Sequence, residues 1–486
     1  MKQFSLPENL TSSLEPEAIV AEERLADFAV DGITPQGALK PKDRQATSEI
    51  MGWASSQRIT VFPRGGGTQL ALGNVPQEVG LVLDLSQQSR MLDYQPADLT
   101  ATVEAGITLG QLQRELAAGG KFLPIEAPMA DTATIGGILA ANASGPLRYS
   151  QRQPRDWLIG ISVVGSNGTE TKAGGKVVKN VTGFDLSKLI AGSFGTLAVM
   201  TEVTFKVLPA PEKTRTVLVL GLSDQDAMKA MAKALGSSHE VSGAAHLPEA
   251  AAKGSKVSHV AGTGRSVTAF RVEGPGPSVE HRCRALTALL GGGASVEELH
   301  SENSALLWRE ICDVRLLDGD GGNGRQIWRL SVPPMNGAGV AEQLTAGTGA
   351  SVFYDWGGGL IWLTMDATPD AGHETVRRAV EAAGGHATLV RAGADVRNRV
   401  PVFEPQTGAL REITARIKEG FDPKGILNPG RMGAGERPQR LANVRRLGQG
   451  VAGYRDQKHT KHNRQIGQAH LAVHLDADIE KHADKH

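Results

Sequence analysis

Residues 63–68 read PRGGGT and follow the run Ile59, Thr60, Val61, Phe62. Three consecutive glycines remove every Cβ where the backbone can turn its N–H groups inward, so the loop can close on a diphosphate through main-chain hydrogen bonds. A plain turn between strands explains the same hexapeptide. A second run, TATIGGILAANASG at 132–145, sets Gly136 and Gly137 beside the short polar side chains of Asp131, Thr132 and Thr134, while Ala140, Ala141 and Ala143 leave room for something flat. A closely packed small-residue helix is the alternative. A third run, KNVTGFDLSKLIAGSFGTLAVMTE at 179–202, places Gly192, Gly195 and Thr196 between a helix capped by Asp185 and a long strand. A helix-to-strand turn accounts for its glycines as well.

Spacing removes two familiar phosphate sites. Gly65 and Gly67 begin a G-x-G pattern, but the third glycine of the Rossmann fingerprint falls at Leu70, and the chain runs on into QLALGNVP rather than a helix. Gly175-Lys176 is followed by Val177, so the P-loop pattern fails too.

The elements around these runs alternate helix and strand. Ala46, Ile50 and Ala54 recur every fourth residue behind Asp43, predicting a helix over 43–57 that enters a strand at 59–62. A second strand is expected at 81–85. Thr108 and Gln111 suit a capping box for a helix whose Leu109, Leu112 and Leu116 share one face and which Gly119 ends. Asn167-Gly168 centres a hairpin over 159–172. Val199, Thr201, Val203, Phe205 and Val207 alternate, predicting a half-exposed strand over 197–208. The stretch LPAPEKT at 208–214 then interrupts regular structure, and beyond it IWRLSVPP at 327–334 and YDWGGGLIWL at 354–363 read as strands of one sheet.

Composition narrows the class. With 486 residues the chain is long enough for about three folding units at ~150 residues each. Its 59 glycines favour tight turns and backbone-lined sites. Lys plus Arg and Asp plus Glu both number 52, so no net field attracts nucleic acid or an anionic membrane. No apolar run reaches the ~18–20 residues of a transmembrane helix, and residues 1–17 lack the apolar stretch of a signal peptide. The reading is a cytoplasmic protein whose membrane association, if any, is made through partners. Cys283 and Cys312 alone cannot supply the four thiolates of an ordinary iron–sulfur cluster.

The order and spacing of the three glycine-containing runs resemble the FAD-binding domain shared by vanillyl-alcohol oxidase and para-cresol methylhydroxylase. With WRLSVPP, YDWGGGLIWL and FDPKGILNPGRM at 421–432, the resemblance extends to the FAD-binding subunit of bacterial glycolate oxidase. It implies an α+β protein: an N-terminal extension at 1–17, a two-subdomain FAD-binding domain at 18–209, an α+β cap with an antiparallel sheet at 215–433, and a His-rich disordered tail at 434–486. By resemblance, Gly65, Gly66, Gly67 and Thr68 hold the FAD pyrophosphate, with Arg64 as a charge partner. Asp131, Thr132, Thr134, Gly136, Gly137 and Ala141 line the flavin and its ribityl chain. Gly195, Thr196 and Val199 close over the adenine or ring, and Asn428 returns the C-terminal segment to the flavin domain. A noncovalent flavin is expected, since no His precedes His239 and no Cys precedes Cys283.

Oxidising a 2-hydroxy acid requires a cation for the carboxylate, a base for the hydroxyl proton and a carbon facing the flavin. Related dehydrogenases add a metal-binding histidine cluster, but His239, His246, His259, His281, His300, His373 and His386 are scattered here, and no metal site is expected. Arg309 and Arg329 are the candidate anion binders, although a salt-bridging strand or helix residue is the better explanation of each. The missing cluster favours a subunit that passes electrons onward, with a homologous flavin subunit and an iron–sulfur subunit as partners. A self-sufficient D-lactate-type dehydrogenase, a non-catalytic flavin-bearing assembly subunit and a UDP-sugar reductase are the alternatives. His459, His462, His470, His474, His482 and His486 are read as part of a solvated tail.

Overall fold

The structure, a computed structural model, describes residues 6–7, 10, 14–175, 185–292, 295–317 and 324–433. The expected first helix forms as α1 (Arg44–Gln57), with the Asp43 carboxylate accepting the Ala46 N–H at 2.9 Å. Its buried face packs on a three-stranded parallel sheet, β1 (Gly37–Leu39), β2 (Val61–Arg64) and β3 (Leu81–Asp84), in the order β1-β3-β2. The strand expected at 59–62 therefore starts later and runs through Pro63 and Arg64. Pairing explains this: the carbonyls of Thr60 and Arg64 accept from Leu81 and Leu85 at 2.8 Å each, so the N–H that Pro63 lacks belongs to the opposite edge.

A five-stranded antiparallel sheet follows, built from β4 (Met91–Gln95), β5 (Thr100–Glu104), β7 (Leu158–Val164), β8 (Glu170–Gly174) and β9 (Val199–Lys206) in the order β4-β5-β9-β7-β8. The short strands β6 (Lys121–Phe122) and β10 (Leu208–Pro209) pair separately. Helices α2 (Leu109–Ala117) and α3 (Ile135–Ala141) cover one face, burying Leu112, Leu116, Ile138 and Leu139 against Val203 and Phe205. Thr108 caps α2 by accepting the Gln111 N–H, but the Gln111 side chain bonds Glu115 and Ser89, so the capping box is half made. Gly168 takes a φ of +85° in the β7–β8 connection, as a hairpin tip there requires.

The strict alternation expected of β9 breaks. Ser162 pairs with Glu202 but Val163 with Met200, leaving Thr201 as a bulge that turns Val199 to a different core from Val203 and Phe205. Sequence period cannot reveal such an insertion, because the partner strand sets the register.

The third sheet has eight antiparallel strands: β11 (Lys213–Leu220), β12 (Val241–Leu247), β13 (Val267–Gly274), β14 (Ser295–His300), β15 (Gln326–Ser331), β16 (Ser351–Asp355), β17 (Leu360–Met365) and β18 (His386–Arg391). Their order is β14-β11-β13-β12-β16-β17-β15-β18, so the segments at 327–334 and 354–363 lie in one sheet, as expected, but the second is a hairpin and not one strand: Trp356–Gly358, with Gly357 at φ +68° and Gly358 at φ +99°, turns the chain from β16 into β17, which pairs with β15. Helices α4 (Asp224–Leu235), α5 (Gly276–Leu290), α7 (Gly337–Thr345) and α8 (His373–Ala382) cover one face; α6 (Ser301–Cys312) covers part of the other.

After α9 (Gly408–Phe421) the chain returns to the first sheet. Val61 donates to Ile426 at 2.7 Å and Asn428 donates to the Val61 carbonyl at 2.9 Å, so Leu427 lies parallel to β2. Arg397 and Arg431 both bond the Asp31 carboxylate, and the same guanidiniums hold the carbonyls of Leu70, Leu72, Gly73 and Asn74. All three side chains are buried. Asp31→Asn leaves two buried guanidiniums without a counter-charge and is expected to cost about 3 kcal/mol or more. Thermal unfolding should show a large fall in midpoint; a shift within a degree or two would mean that backbone carbonyls alone satisfy the pair.

Candidate functional site

The glycine loop stands directly against the second small-residue run. A Cβ on Gly65 would lie 2.0 Å from Thr134 Oγ1, and one on Gly66 only 1.7 Å from the Thr132 carbonyl oxygen, so both positions require glycine. Gly67 is glycine for another reason, its φ of +75°. The N–H groups of Gly65, Gly66, Gly67 and Thr68 donate no hydrogen bond among the described residues. The loop is thus a row of available main-chain donors whose other side is packed, which is the donor set a diphosphate needs.

The second run plays a different part. Thr134 caps α3 by accepting the Gly137 N–H at 3.3 Å, and Gly136 donates to the Ala105 carbonyl at 2.7 Å. Their amides are engaged with protein, so Gly136 and Gly137 fix the segment instead of offering donors. Ala141 ends α3 ahead of Asn142, whose φ of +46° turns the chain. Thr132 is exposed and donates to the Met129 carbonyl. Asp131 is also exposed; its carboxylate faces Arg114 at 3.5 Å and Arg309 at 3.7 Å, so two residues expected to act on different ligands pair with one another.

The third run meets the other two through the C-terminal return. Gly195, at φ +68°, lies against Pro63 and Asn428, and the Asn428 side chain donates to the Phe194 carbonyl at 2.6 Å. Thr196 donates to the Ser193 carbonyl at 2.7 Å. The Val199 side chain is in the core with Leu83 and Val164, so only its backbone can face a ligand. Arg64 donates to the Asp27 carbonyl and lies over Phe28 at 4.8 Å, keeping one buried N–H, at Nε, without a partner among the described residues. The residues expected from TGF at 182–184 lie outside the described residues.

Sequence reasoning missed the joint between the segment at 126–150 and the eight-stranded sheet. Buried Arg271 on β13 donates to both oxygens of Glu126, at 2.6 and 3.3 Å, and Glu126 accepts the Leu147 N–H at 2.7 Å. Trp356 donates its indole N–H to the Gly145 carbonyl at 3.1 Å. Arg148 and Arg329 both face that indole, their guanidinium carbons 4.4 and 5.5 Å from the ring centroid. Arg329 is therefore at the joint, whereas Arg309 is exposed on α6. Neither Arg148 nor Arg271 carries a motif, and the joint forms only where the segment at 126–150 packs on β13 and the turn after β16, with β12 between those strands.

Asp355 belongs to the same joint. Its carboxylate accepts the Trp356 N–H at 2.7 Å, and its pKa is pushed up to about 7, chiefly by burial and further by Glu126, against the opposing pull of the Trp356 N–H and Arg271. Cys312 approaches Gly145; burial, with Glu126 adding to it, keeps its thiol protonated.

Comparison with known proteins decides the family. The chain is 31% identical over 396 residues to glycolate oxidase subunit GlcE of Escherichia coli (strain K12), covering 80% of this chain and 97% of that one. It belongs to the family of that subunit. Residues 35–174 match the model of an FAD binding domain. Glycolate oxidase subunit GlcD of Bacillus subtilis (strain 168) is 34% identical, but over 45% of this chain and 46% of its own. The D-lactate dehydrogenase of Archaeoglobus fulgidus likewise matches at 34% over 44% and 46%. Among solved structures, p-cresol methylhydroxylase with substrate bound shares the fold at a TM-score of 0.69 and 15% identity, over 87% of this chain and 96% of that one. The expected FAD-linked oxidoreductase of the 2-hydroxy-acid group, with its mixed α and antiparallel-sheet fold, is borne out. No helix among the described residues is long and apolar enough to cross a membrane.

Two predictions follow from this geometry. Gly66→Ala drives a methyl into the Thr132 carbonyl at an overpacking cost of ~1–3 kcal/mol, and FAD titration should show roughly 5- to 150-fold weaker binding. Gly67→Ala, whose Cβ would lie 3.3 Å from Arg64 Nε on a backbone at φ +75°, should lose less; equal losses would mean that backbone strain in the loop matters as much as the contact with Thr132. For Asp355 the native state binds its proton more tightly than the unfolded chain does, so this group costs nothing below its ordinary pKa of 3.8 and destabilises increasingly as pH rises to about 7. Asp355→Asn should therefore melt at or above the wild-type temperature at pH 8, with the advantage gone near pH 4.

Proposed function

We propose that this chain is the FAD-binding subunit of a glycolate oxidase complex, acting on a small 2-hydroxy acid and passing electrons to partner subunits. The observation that carries the substrate class is the pair of guanidiniums of Arg148 and Arg329 on one indole, at the joint between the flavin-side segment and the eight-stranded sheet. Two cations beside an aromatic platform suit a short carboxylate better than a neutral alcohol. Asp355, titrating near neutrality in the same joint, is the group available to take the hydroxyl proton.

FAD, when bound, supplies the two-electron acceptor. Gly65, Gly66, Gly67, Thr68 and Gly195 hold it through backbone N–H groups, Arg64 contributes charge, and the segment 131–141 forms the wall behind. The wall acts through its backbone course, since Gly136 and Gly137 have engaged amides. The cofactor is noncovalent: no His precedes His239, no Cys precedes Cys283, and the Cys312 thiol is held protonated. In this division residues 18–209 bind FAD and 215–433 form the cap.

The near-complete overlap with glycolate oxidase subunit GlcE, against less than half of subunit GlcD and of the D-lactate dehydrogenase, supports a chain that works within an assembly. A homologous flavin subunit and an iron–sulfur subunit are the partners proposed, because two cysteines cannot make a cluster here. The full chain, reconstituted with FAD and mixed anaerobically with glycolate or D-lactate, tests the reading. Bleaching of the flavin by the chain alone would make it self-sufficient; bleaching only with partner subunits is the expected result. Arg329→Met should raise the hydroxy acid concentration for half-reduction by ~10- to 100-fold, the worth of one charge-assisted contact, with flavin content unchanged. Loss of flavin instead would place Arg329 in the cofactor site.

A further inference from the structure

Helix α9 is docked by a charge. Over fourteen residues its one buried side chain among the described residues is Lys418, 6% exposed, while Leu410 is exposed and Ile413, Ile417 and Phe421 are half-buried. The three ammonium protons have three acceptors: the Thr196 carbonyl at 2.7 Å, the Leu427 carbonyl at 2.8 Å and the Asp422 carboxylate at 2.7 Å. Asp422 also accepts the N–H groups of Ile426 at 3.1 Å and Leu427 at 2.8 Å. A buried ion pair contributes little net stability compared with apolar packing, so its placement calls for another explanation.

Peptide planarity supplies it. In a trans peptide the C=O and the following N–H point in opposite directions. Asn428 holds the Phe194 carbonyl, which turns the Gly195 N–H away from the C-terminal segment; Lys418 holds the Thr196 carbonyl and does the same to the Leu197 N–H. Neither N–H has an acceptor among the described residues. Ser193, in the same loop and 4% exposed, keeps its hydroxyl without a partner there. Three donors of one turn are thus free to meet an acceptor that the described residues do not provide.

We infer that Lys418 is a positioning residue for FAD: with Asp422 it orients the 193–197 turn so that Ser193 Oγ and the N–H groups of Gly195 and Leu197 engage the cofactor. Docking of the segment 418–428 and FAD binding are then one coupled equilibrium. This rests on the reading of 193–197 as part of the FAD site.

The test uses the full chain and the double variant Lys418→Met/Asp422→Asn, which leaves no unpaired buried charge, with Ser193→Ala as a second variant that removes a single oxygen. FAD affinity by fluorescence titration is expected to fall at least tenfold in the first and about threefold or more in the second. The FAD-induced rise in melting temperature should shrink in both, even where the melting temperature without FAD also drops. Wild-type affinity and an unchanged FAD-induced rise in both variants would overturn the inference while leaving the FAD site intact. Failure of the wild-type chain itself to take up FAD would overturn the site along with it.

Discussion

The close approach of a glycine backbone to the 132–134 segment is the constraint on which the rest of this structure depends. Gly65 and Gly66 can lie on the 132–134 segment only because neither carries a Cβ, and the clearances of 2.0 and 1.7 Å leave no room for one. This close approach also explains why the outer N–H groups of the loop stay available: the loop is supported from behind, so it needs no internal hydrogen bonds to keep its course.

Support of this kind recurs from the far end of the chain. The 426–428 segment lies along β2, Arg431 and Arg397 grip the carbonyls that follow the glycine loop, and Lys418 and Asn428 hold the 194–196 turn. Polar groups, most of them buried, make these links, each with several partners. Polar links trade stability for orientation, because a hydrogen bond specifies direction where apolar packing specifies only proximity. A site made of N–H vectors gains more from direction.

The joint with the eight-stranded sheet follows another logic. Arg271 with Glu126 is a bidentate pair in a buried setting, and Trp356 with Gly145 adds a directional bond beside two guanidiniums. Burial leaves Asp355 poised near neutrality among these charges. Structural pairing and chemically responsive groups therefore share one small region. Arg309, by contrast, is an exposed partner of Asp131 on α6, where a charge is screened and readily replaced.

What residue order alone determined was local. Capping by Asp43 and Thr108, the glycine runs and the hairpin tip at Gly168 follow from short-range sterics and hydrogen bonding, which each segment carries with it. The family was legible for the same reason, since its motifs are runs of small residues whose conformational freedom survives in any context. Tertiary structure alone decided the bulge at Thr201 that buries Val199, the capture of Asp131 by arginines, the arrival of Arg148 and Asp355 beside Arg329, and the role of Lys418. Each of those depends on register or on contacts between residues tens to hundreds of positions apart, and no periodicity or spacing along the chain encodes a distance that only folding sets.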